Sequence, residues 1–404
     1  MDIDYFLRKQ TILLSNITTT YIRDKYFNLL NSDERLIALV GARGVGKTTV
    51  ILQYLQSLQN KFLYLTGDDI EFTNSSIYEI ADEFYKLGGR IIAIDEVHKY
   101  QNWSQEIKNI YDSFPDMIIR ISGSSMLNII YEKYDLSRRL VLYKMETLCF
   151  KEYLEIQKDI RLETYTLEEI LQNAVSISSD LMMKHNDIYG LFKEYLKHGA
   201  YPFYLESLNS FDQKLYNAMD KIIHEDIPSL NKMDYTHLSV FQKLIFYVTA
   251  AKKPFGVNVA ALSREFGVTE PTLHTYLQIL DKTGIFKSMR KYSKNISKKP
   301  QKLLFANSNI LYSYSNDLNI EVEIGTVRET FFTNCFKDIY YSDIGDFLIE
   351  SSVDNKVTQY IFEVGGKNKK FSQVKDIENS FLALDIDFTT NDKKIPLWLF
   401  GFLN

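Results

Sequence analysis

The stretch GARGVGKTT, at residues 41–49, fits the pattern G-x-x-x-x-G-K-[ST]. The apolar run LIALV (36–40) precedes it, and the helical sequence TVILQYLQSL follows from Thr49. A glycine-rich turn between a buried strand and a helix lets backbone N–H groups wrap a phosphate, assisted by the helix amino terminus. The stretch therefore predicts a nucleotide-binding α/β domain.

The roles within this loop follow from the chemistry of the side chains. Lys47 is expected to reach the β- and γ-phosphates, and the Thr48 hydroxyl is expected to ligate Mg²⁺. The alternative is a glycine-rich turn without a ligand. The residues predicted to contact the nucleotide are Gly41, Ala42, Arg43, Gly44, Val45, Gly46, Lys47, Thr48 and Thr49.

Three further apolar runs follow the loop and alternate with amphipathic helical patterns. They are FLYLT (62–66), IIAID (91–95) and MIIRIS (117–122). Short apolar runs with helices between them are typical of buried parallel strands. With LIALV they predict a three-layer α/β P-loop NTPase core built on a parallel sheet.

Acidic residues end the third of these strands. Asp95 and Glu96 lie at its carboxyl-terminal tip, where open α/β sheets bind their ligands. We expect Asp95 to hold the Mg²⁺ shell and Glu96 to orient or deprotonate the attacking water. Ser124, in the GSS turn after the next strand, is a candidate for bonding that water or the γ-phosphate, although GSS is also a common turn. ATP and Mg²⁺ are the predicted cofactors, and Mg²⁺-dependent ATP hydrolysis is the predicted activity.

The pattern of apolar and polar residues changes along the chain and predicts four domains. Residues 2–30 are expected to be helical within a P-loop ATPase domain at 1–150. A helical lid or linker is expected at 151–235, with a break at Gly199–Pro202. Residues 236–304 have the pattern of a winged helix-turn-helix, with helices that end near Gly267 and Gly284 and a strand after them. Mixed α/β sequence returns at 305–404.

Composition limits the classes of partner. The formal net charge of −5 argues against a surface built throughout for nucleic acid, although a local basic patch remains compatible with it. The two cysteines, Cys149 and Cys335, are far apart in sequence and are expected to be buried thiols in a reducing compartment. No run approaches eighteen apolar residues, and the amino terminus is charged. We expect a cytoplasmic protein that does not contact a membrane.

Several motifs together resemble a known family. The order of the P-loop, DEVHKYQNW, ISGSS, LSRRL and TLCFKEY is similar to AAA-type ATPases that carry a carboxyl-terminal domain of unknown function. The segments HGAYPFYLE, FEVGGKNKK and IPLWLFGFLN resemble the same family. The resemblance implies that Ser124 is a polar sensor and that Arg139 is an arginine finger. A finger acting in trans implies a homo-oligomer. The alternative for Arg139 is a surface ion pair.

The wing of the predicted winged helix is basic. Its positive side chains have no acidic residue between them, which suits contact with the phosphate backbone of DNA. The alternative is a protein-packing module with a solvated basic hairpin. The basic residues are Lys287, Arg290, Lys291, Lys294, Lys298, Lys299 and Lys302.

The last segment carries three spaced acids, Glu329, Asp346 and Glu363, and resembles the PD-(D/E)xK nuclease core. That resemblance implies Mg²⁺-binding carboxylates and a lysine two residues after the last acid. The position is Gly365 here, and the nearest lysine is Lys367. We expect a degenerate site that does not cut, with a migrated catalytic Lys367 as the alternative.

The leading hypothesis is an ATPase whose hydrolysis moves the lid, winged helix and nuclease-like domain on DNA. The rivals are a nucleotide-gated switch or scaffold for a protein partner, and an ATP-regulated endonuclease.

Overall fold

The structure is a computed structural model that describes residues 3–124, 136, 138–228, 235–292, 300–353, 356–370 and 377–403. The chain divides into two compact units, Met1–Thr147 and Leu148–Asn404. The first division lies three residues before the predicted boundary at 150. The finer division of the second part into lid, winged helix and nuclease-like domain stays a prediction.

The first unit is built on a parallel five-stranded sheet with the order β2-β3-β4-β1-β5. Because both faces of such a sheet are covered, its central strands are mostly apolar, as LIALV is throughout and IIAID is up to Asp95. The predicted α/β P-loop core is confirmed. The strands are β1 Leu36–Val40, β2 Phe62–Thr66, β3 Ile91–Asp95, β4 Ile118–Gly123 and β5 Val141–Lys144.

Helices separate these strands along the chain. The helix Ile77–Lys86 begins at a capping box, in which the side chains of Ser76 and Glu79 each accept a hydrogen bond from the other residue's backbone N–H group. One core joins the sheet to the helices, with Trp103, Ile107 and Ile110 fully covered. The helices are α1 Ile3–Ser15, α2 Asp24–Leu30, α3 Lys47–Ser57, α4 Ile77–Lys86 and α5 Trp103–Ser113.

The amino-terminal segment differs from the prediction of a helix over 2–30. Helix α1 ends at Ser15, and α2 begins only at Asp24. The intervening sequence contains three consecutive threonines, which are poor helix formers. The Gln53 side chain also donates to the carbonyl oxygens of Thr18 and Tyr21, both at 2.9 Å. These carbonyl groups therefore bond to α3 instead of forming a helical ladder.

The second unit begins with the predicted helical region. Tyr195–Gly199 and Ile222–Asp226 are π-helical, and Pro202–Leu205 is a 3₁₀ turn after the expected Gly-Ala-Tyr-Pro break. The helices here are α6 Phe150–Lys158, α7 Leu167–Lys184, α8 Ile188–Glu194 and α9 Phe211–Lys221.

Three helices and a small antiparallel sheet follow. Asn258 caps α11, Gly267 ends it in the left-handed conformation, and Thr269 caps α12. Strands β7 and β8 form a hairpin, and β6 pairs with β8 on its other side. These elements have the order along the chain that was predicted for a winged helix, and the winged helix itself stays a proposal. They are α10 Tyr235–Ala250, β6 Phe255–Gly256, α11 Val259–Phe266, α12 Glu270–Lys282, β7 Phe286–Arg290 and β8 Pro300–Phe305.

The chain closes with two helices and a mixed five-stranded sheet of order β13-β12-β11-β10-β9. Strands β10 and β11 are antiparallel, whereas β11, β12 and β13 run parallel. The elements are α13 Ser308–Asp317, α14 Ile324–Asn334, β9 Tyr340–Tyr341, β10 Phe347–Val353, β11 Lys356–Gly366, β12 Ser380–Asp385 and β13 Lys394–Pro396.

Two expectations about compartment meet the structure only in part. Among the described residues, no helix is both long and apolar enough to cross a membrane. Cys149 and Cys335 are free thiols, and both are half-buried where full burial was expected.

Candidate functional site

The loop between β1 and α3 depends on its glycines. A Cβ at Gly41 would lie 2.4 Å from the Met145 carbonyl oxygen, so no larger residue fits there without a shift of the backbone. Gly44 and Gly46 have φ angles of 81° and 96°, which side chains disfavour. Gly46 is also the residue from which α3 starts. The loop thus turns sharply and presents the amino terminus of an eleven-residue helix, which favours an anion.

Lys47 belongs to this loop and is 5% exposed. Its Nζ donates to the carbonyl oxygens of Gly41 and Ala42, at 2.9 and 3.0 Å. The amine is therefore held over the concave side of the loop by neutral acceptors. Phosphate oxygens would make stronger, charge-assisted bonds with the same amine.

Asp95 is held by four hydrogen bonds. The Thr48 hydroxyl and the Tyr64 hydroxyl donate to Oδ2, the latter at 3.0 Å. The Ser122 hydroxyl and the Glu96 backbone N–H donate to Oδ1, the latter at 2.9 Å. The side chain is thereby fixed beside Thr48, the other predicted Mg²⁺ residue.

Tyr64 and Ser122 were missed by the sequence reasoning. Each carries a hydroxyl within a mostly apolar strand, and that is the signal that the sequence offers for them. The register of β2, β3 and β4 brings both hydroxyls to Asp95. Burial and the neighbouring Asp95 raise the pKa of Tyr64, so its hydroxyl is a donor at any ordinary pH.

Glu96 has a φ of 46°, a backbone strain of a kind that concentrates at functional sites. The Ser124 hydroxyl donates to its Oε2 at 2.9 Å, which brings the predicted sensor and the predicted base together. Burial raises the pKa of Glu96, and the nearby Lys47 ammonium opposes that rise.

His98, to which the sequence analysis gives no role, also lies at this carboxylate. Its Nε2 is 3.5 Å from Glu96 Oε2, and its side chain is 2% exposed. Burial lowers the pKa of His98 to about 3, so the ring is neutral.

The site's donor set suits Mg²⁺ and a nucleoside triphosphate. The Thr48 hydroxyl and the Asp95 carboxylate are hard oxygen ligands that already touch each other. The loop amides, the helix terminus and Lys47 supply positive charge for phosphate. Thr48 and Asp95 would hold the cation, and residues 41–49 would hold the phosphates.

Arg139 is engaged within its own unit. Its Nε and Nη2 donate to the two carboxylate oxygens of Asp112, at 2.8 and 2.9 Å. This is the surface ion pair that the sequence left open as the alternative to an arginine finger. A role in trans would require that pair to break, and it stays a prediction.

Basic residues of the predicted wing contact acidic side chains and backbone carbonyl groups of other elements in the second unit. Lys287 Nζ donates to the carbonyl oxygens of Thr333 and Phe336, at 2.7 and 2.5 Å, which puts Lys287 in the packing of the unit and corrects its assignment to a phosphate-binding surface. Lys291 forms an ion pair with Asp343. Arg290 is half-buried on β7. Lys294, Lys298 and Lys299 lie outside the described residues.

Lys302 of the same basic set meets the acids of the carboxyl-terminal sheet, with its Nζ 3.9 Å from Glu329 Oε2. Glu363 is fully buried, and neither of its carboxylate oxygens has a hydrogen-bond partner. Burial, then the nearby Asp346, raise the pKa of Glu329 to about 7. Within the part of the chain that the structure describes, no group of three or more His, Cys, Asp or Glu is arranged to hold a metal ion.

The lysine beside Asp346 is Lys369, which was not predicted, and the alternative of a catalytic Lys367 stays a prediction. Lys367 is exposed. Lys369 Nζ lies 3.7 Å from Asp346 Oδ2, and its side chain would be 2.8 Å from a Cβ at Gly365. Lys369 therefore covers the position where the nuclease pattern has its lysine.

Comparison with protein families supports the first unit's resemblance. Residues 33–154 match the family model described as an AAA domain, and residues 189–319 match a domain of unknown function (DUF8612). The amino-terminal part of the chain is thus similar to AAA-type P-loop domains. The second match assigns no activity.

Individual relatives are more distant. An uncharacterized protein of Methanocaldococcus jannaschii is 28% identical over 304 residues, which are 70% of this chain and 62% of that protein's length. The Walker-type ATPase of Pyrococcus abyssi has 14% identity and a TM-score of 0.40, over 72% of this chain and 93% of its own. The RuvB Holliday junction branch migration motor of Thermotoga maritima has 15% identity and a TM-score of 0.28, over 79% and 95%.

Proposed function

We propose that this chain hydrolyses ATP with Mg²⁺ at the loop of residues 41–49, and that hydrolysis changes the conformation of the second unit on DNA. The observation that carries the hydrolysis is the fixed pair of acids after β3. Asp95 accepts four hydrogen bonds beside Thr48, and Glu96 lies next to it with one oxygen bonded to Ser124.

Different residues of the chain bind the phosphates, hold the cation and accept the proton. Lys47 and the loop amides bind and orient the phosphates, and Thr48 with Asp95 holds the cation. Bound Mg²⁺ offsets negative charge on the β- and γ-phosphate oxygens. Glu96 accepts the proton of the attacking water, and Ser124 fixes the side chain of Glu96.

Action on DNA is supported by the helices α11 and α12 and the β7–β8 hairpin, which have the order of a winged helix. The test is the steady-state ATPase rate with and without single-stranded, double-stranded and branched DNA at two salt concentrations. We expect one of these DNAs to raise the rate, with a smaller effect at the higher salt concentration because phosphate contacts release counterions. A rate that no DNA changes would sink the DNA part of the proposal.

The second candidate function is a nucleotide-gated switch for a protein partner. It is favoured by Lys287, whose amine bonds to backbone carbonyl oxygens of the unit, and by Lys291, which is paired with Asp343 at the surface. A slow ATPase that DNA does not stimulate would support this candidate.

We also propose that the carboxyl-terminal acids do not cut DNA, because Glu363 is buried without a hydrogen-bond partner and Gly365 stands at the position where the nuclease pattern has its lysine. Supercoiled plasmid should stay intact with Mg²⁺ or Mn²⁺, with or without ATP. Nicking that is lost in Asp346→Ala and kept in Lys47→Ala would support the endonuclease alternative, with Lys369 as the first lysine to replace.

The proposed homo-oligomer rests on Arg139 acting across a subunit interface. Mixing Arg139→Ala with Glu96→Gln subunits should then restore part of the activity, and a protein that hydrolyses ATP normally as a monomer would exclude it.

A further inference from the structure

His98 lies in the short turn Val97–Lys99 that follows the two acids of the nucleotide site. Its side chain is 2% exposed, and neither ring nitrogen has a hydrogen-bond partner. A buried polar group without a partner costs about 1–3 kcal/mol, and for that reason such groups are rare. We therefore expect the imidazole of His98 to interact with a neighbouring polar group.

The polar group that faces His98 is the carboxylate of Glu96. The distance from Nε2 to Oε2 is 3.5 Å, slightly longer than a hydrogen bond, so a small rotation of either side chain forms one. Ser124 donates to that same oxygen at 2.9 Å. Both groups thus face Oε2, and among the described residues no hydrogen bond reaches Oε1.

The surroundings keep the ring neutral. Burial is the main cause of its lowered pKa, and the cations Lys99, Arg43 and Lys47 act in the same direction. Asp68 opposes them with a smaller effect. A neutral imidazole has one N–H to donate and one nitrogen that accepts.

We propose that His98 is a positioning residue for ATP hydrolysis, whose Nε2–H bonds to Glu96 Oε2 in the loaded site and turns Oε1 towards the attacking water. Two donors on one oxygen fix the carboxylate more firmly than Ser124 alone. The inference rests on the proposed ATPase function, and it adds a residue to that site.

The test compares two variants. His98→Leu removes the donor, and His98→Gln keeps an amide N–H at a similar distance from the backbone. We expect His98→Leu to lower kcat about 10–100-fold, the order of loss that follows from a misplaced catalytic group. Its Kd for a nonhydrolysable ATP analogue should stay near that of the wild type, and His98→Gln should recover most of kcat. Equal impairment of both variants, or wild-type kcat in His98→Leu, would overturn the proposal.

A double substitution shows whether His98 acts through Glu96. In Glu96→Gln protein, adding His98→Leu should cause little further loss, because the carboxylate that His98 positions is gone. Losses that multiply would overturn the proposal. A wild-type protein that binds ATP and never hydrolyses it would defeat the proposed function itself, and that outcome is distinct from an active wild type with an equally active His98→Leu variant.

A readout independent of turnover is the ¹⁵N spectrum of the His98 ring. With the nonhydrolysable analogue and Mg²⁺ bound, we expect a neutral ring with the proton on Nε2 and a shift of that resonance in Glu96→Gln. A proton on Nδ1, or a resonance that Glu96→Gln leaves unchanged, would contradict the proposal even if His98→Leu did not fold.

Discussion

Two groups of buried carboxylates lie in this chain, and they differ in the hydrogen-bond donors around them. In the first unit, Asp95 accepts four hydrogen bonds from three hydroxyls and a backbone amide. In the second unit, Glu363 is fully buried and both its oxygens lack a partner. Oε2 of Glu329 also lacks a hydrogen-bond partner.

The difference shows which surroundings make a carboxylate suitable for binding a cation. Donors aimed at a carboxylate stabilise its charged form, whereas burial without donors favours the protonated form. Asp95 is thus fixed by donors beside Thr48, whereas Glu363 is buried with no donor to its carboxylate. The predictions below test that contrast.

The largest effect is expected from Lys47→Ala. The variant loses charge-assisted contacts to phosphate, each worth about 1.5–3 kcal/mol, so ATP binding should weaken at least about 100-fold. Titration with a fluorescent ATP analogue measures this. The matched control is Lys369→Ala, which removes a lysine beside the other group of acids and should leave the Kd unchanged. Binding within twofold of wild type in Lys47→Ala would refute the phosphate assignment.

A smaller effect is expected from Tyr64→Phe. Asp95 then keeps three of its four donors, and the loss of one hydrogen bond of about 1 kcal/mol should raise the Mg²⁺ concentration needed for half-maximal hydrolysis about fivefold. The control is Tyr143→Phe, on the edge strand β5 of the same sheet. Identical Mg²⁺ curves for Tyr64→Phe and wild type would show that the Tyr64 hydroxyl does not matter to Asp95.

The sequence predicts the fold and the candidate site to different extents in the two units. The strands and the loop were predictable, because LIALV and IIAID are continuous apolar runs and the glycine spacing of GARGVGKT has few other uses. Tyr64 and Ser122 were not predictable as partners of Asp95, since a single hydroxyl within a buried strand resembles an ordinary core residue until the register is known. The position of Lys369 was not predictable, because distance along the chain does not give reach. Lys369 folds back over Gly365.

The carboxyl-terminal acids predict a dependence of stability on pH. The folded pKa of Glu329, about 7, lies above its ordinary value. Its contribution to stability is therefore present below the unfolded pKa and is lost as pH rises from about 4.5 to 7. Relative to wild type, Glu329→Gln should gain about 2–3 kcal/mol in free energy of unfolding between pH 5 and pH 8.

Denaturant unfolding at the two pH values measures this gain, and Glu350→Gln, at an exposed glutamate on β10, is the control. A Glu329→Gln variant whose stability relative to wild type is the same at both pH values would show that Glu329 is not held in a protonated form.

The central claim is that the amino-terminal acids perform hydrolysis and the carboxyl-terminal acids do not. The most direct measurement is the rate of ATP hydrolysis, with the Kd for ATP measured alongside, in wild type, Glu96→Gln and Asp346→Ala. We predict that Glu96→Gln keeps the wild-type Kd and loses about 100-fold or more in kcat, because the water loses its base. Asp346→Ala should hydrolyse ATP at the wild-type rate. Wild-type turnover in Glu96→Gln, or loss of turnover in Asp346→Ala with ATP binding intact, would contradict the claim.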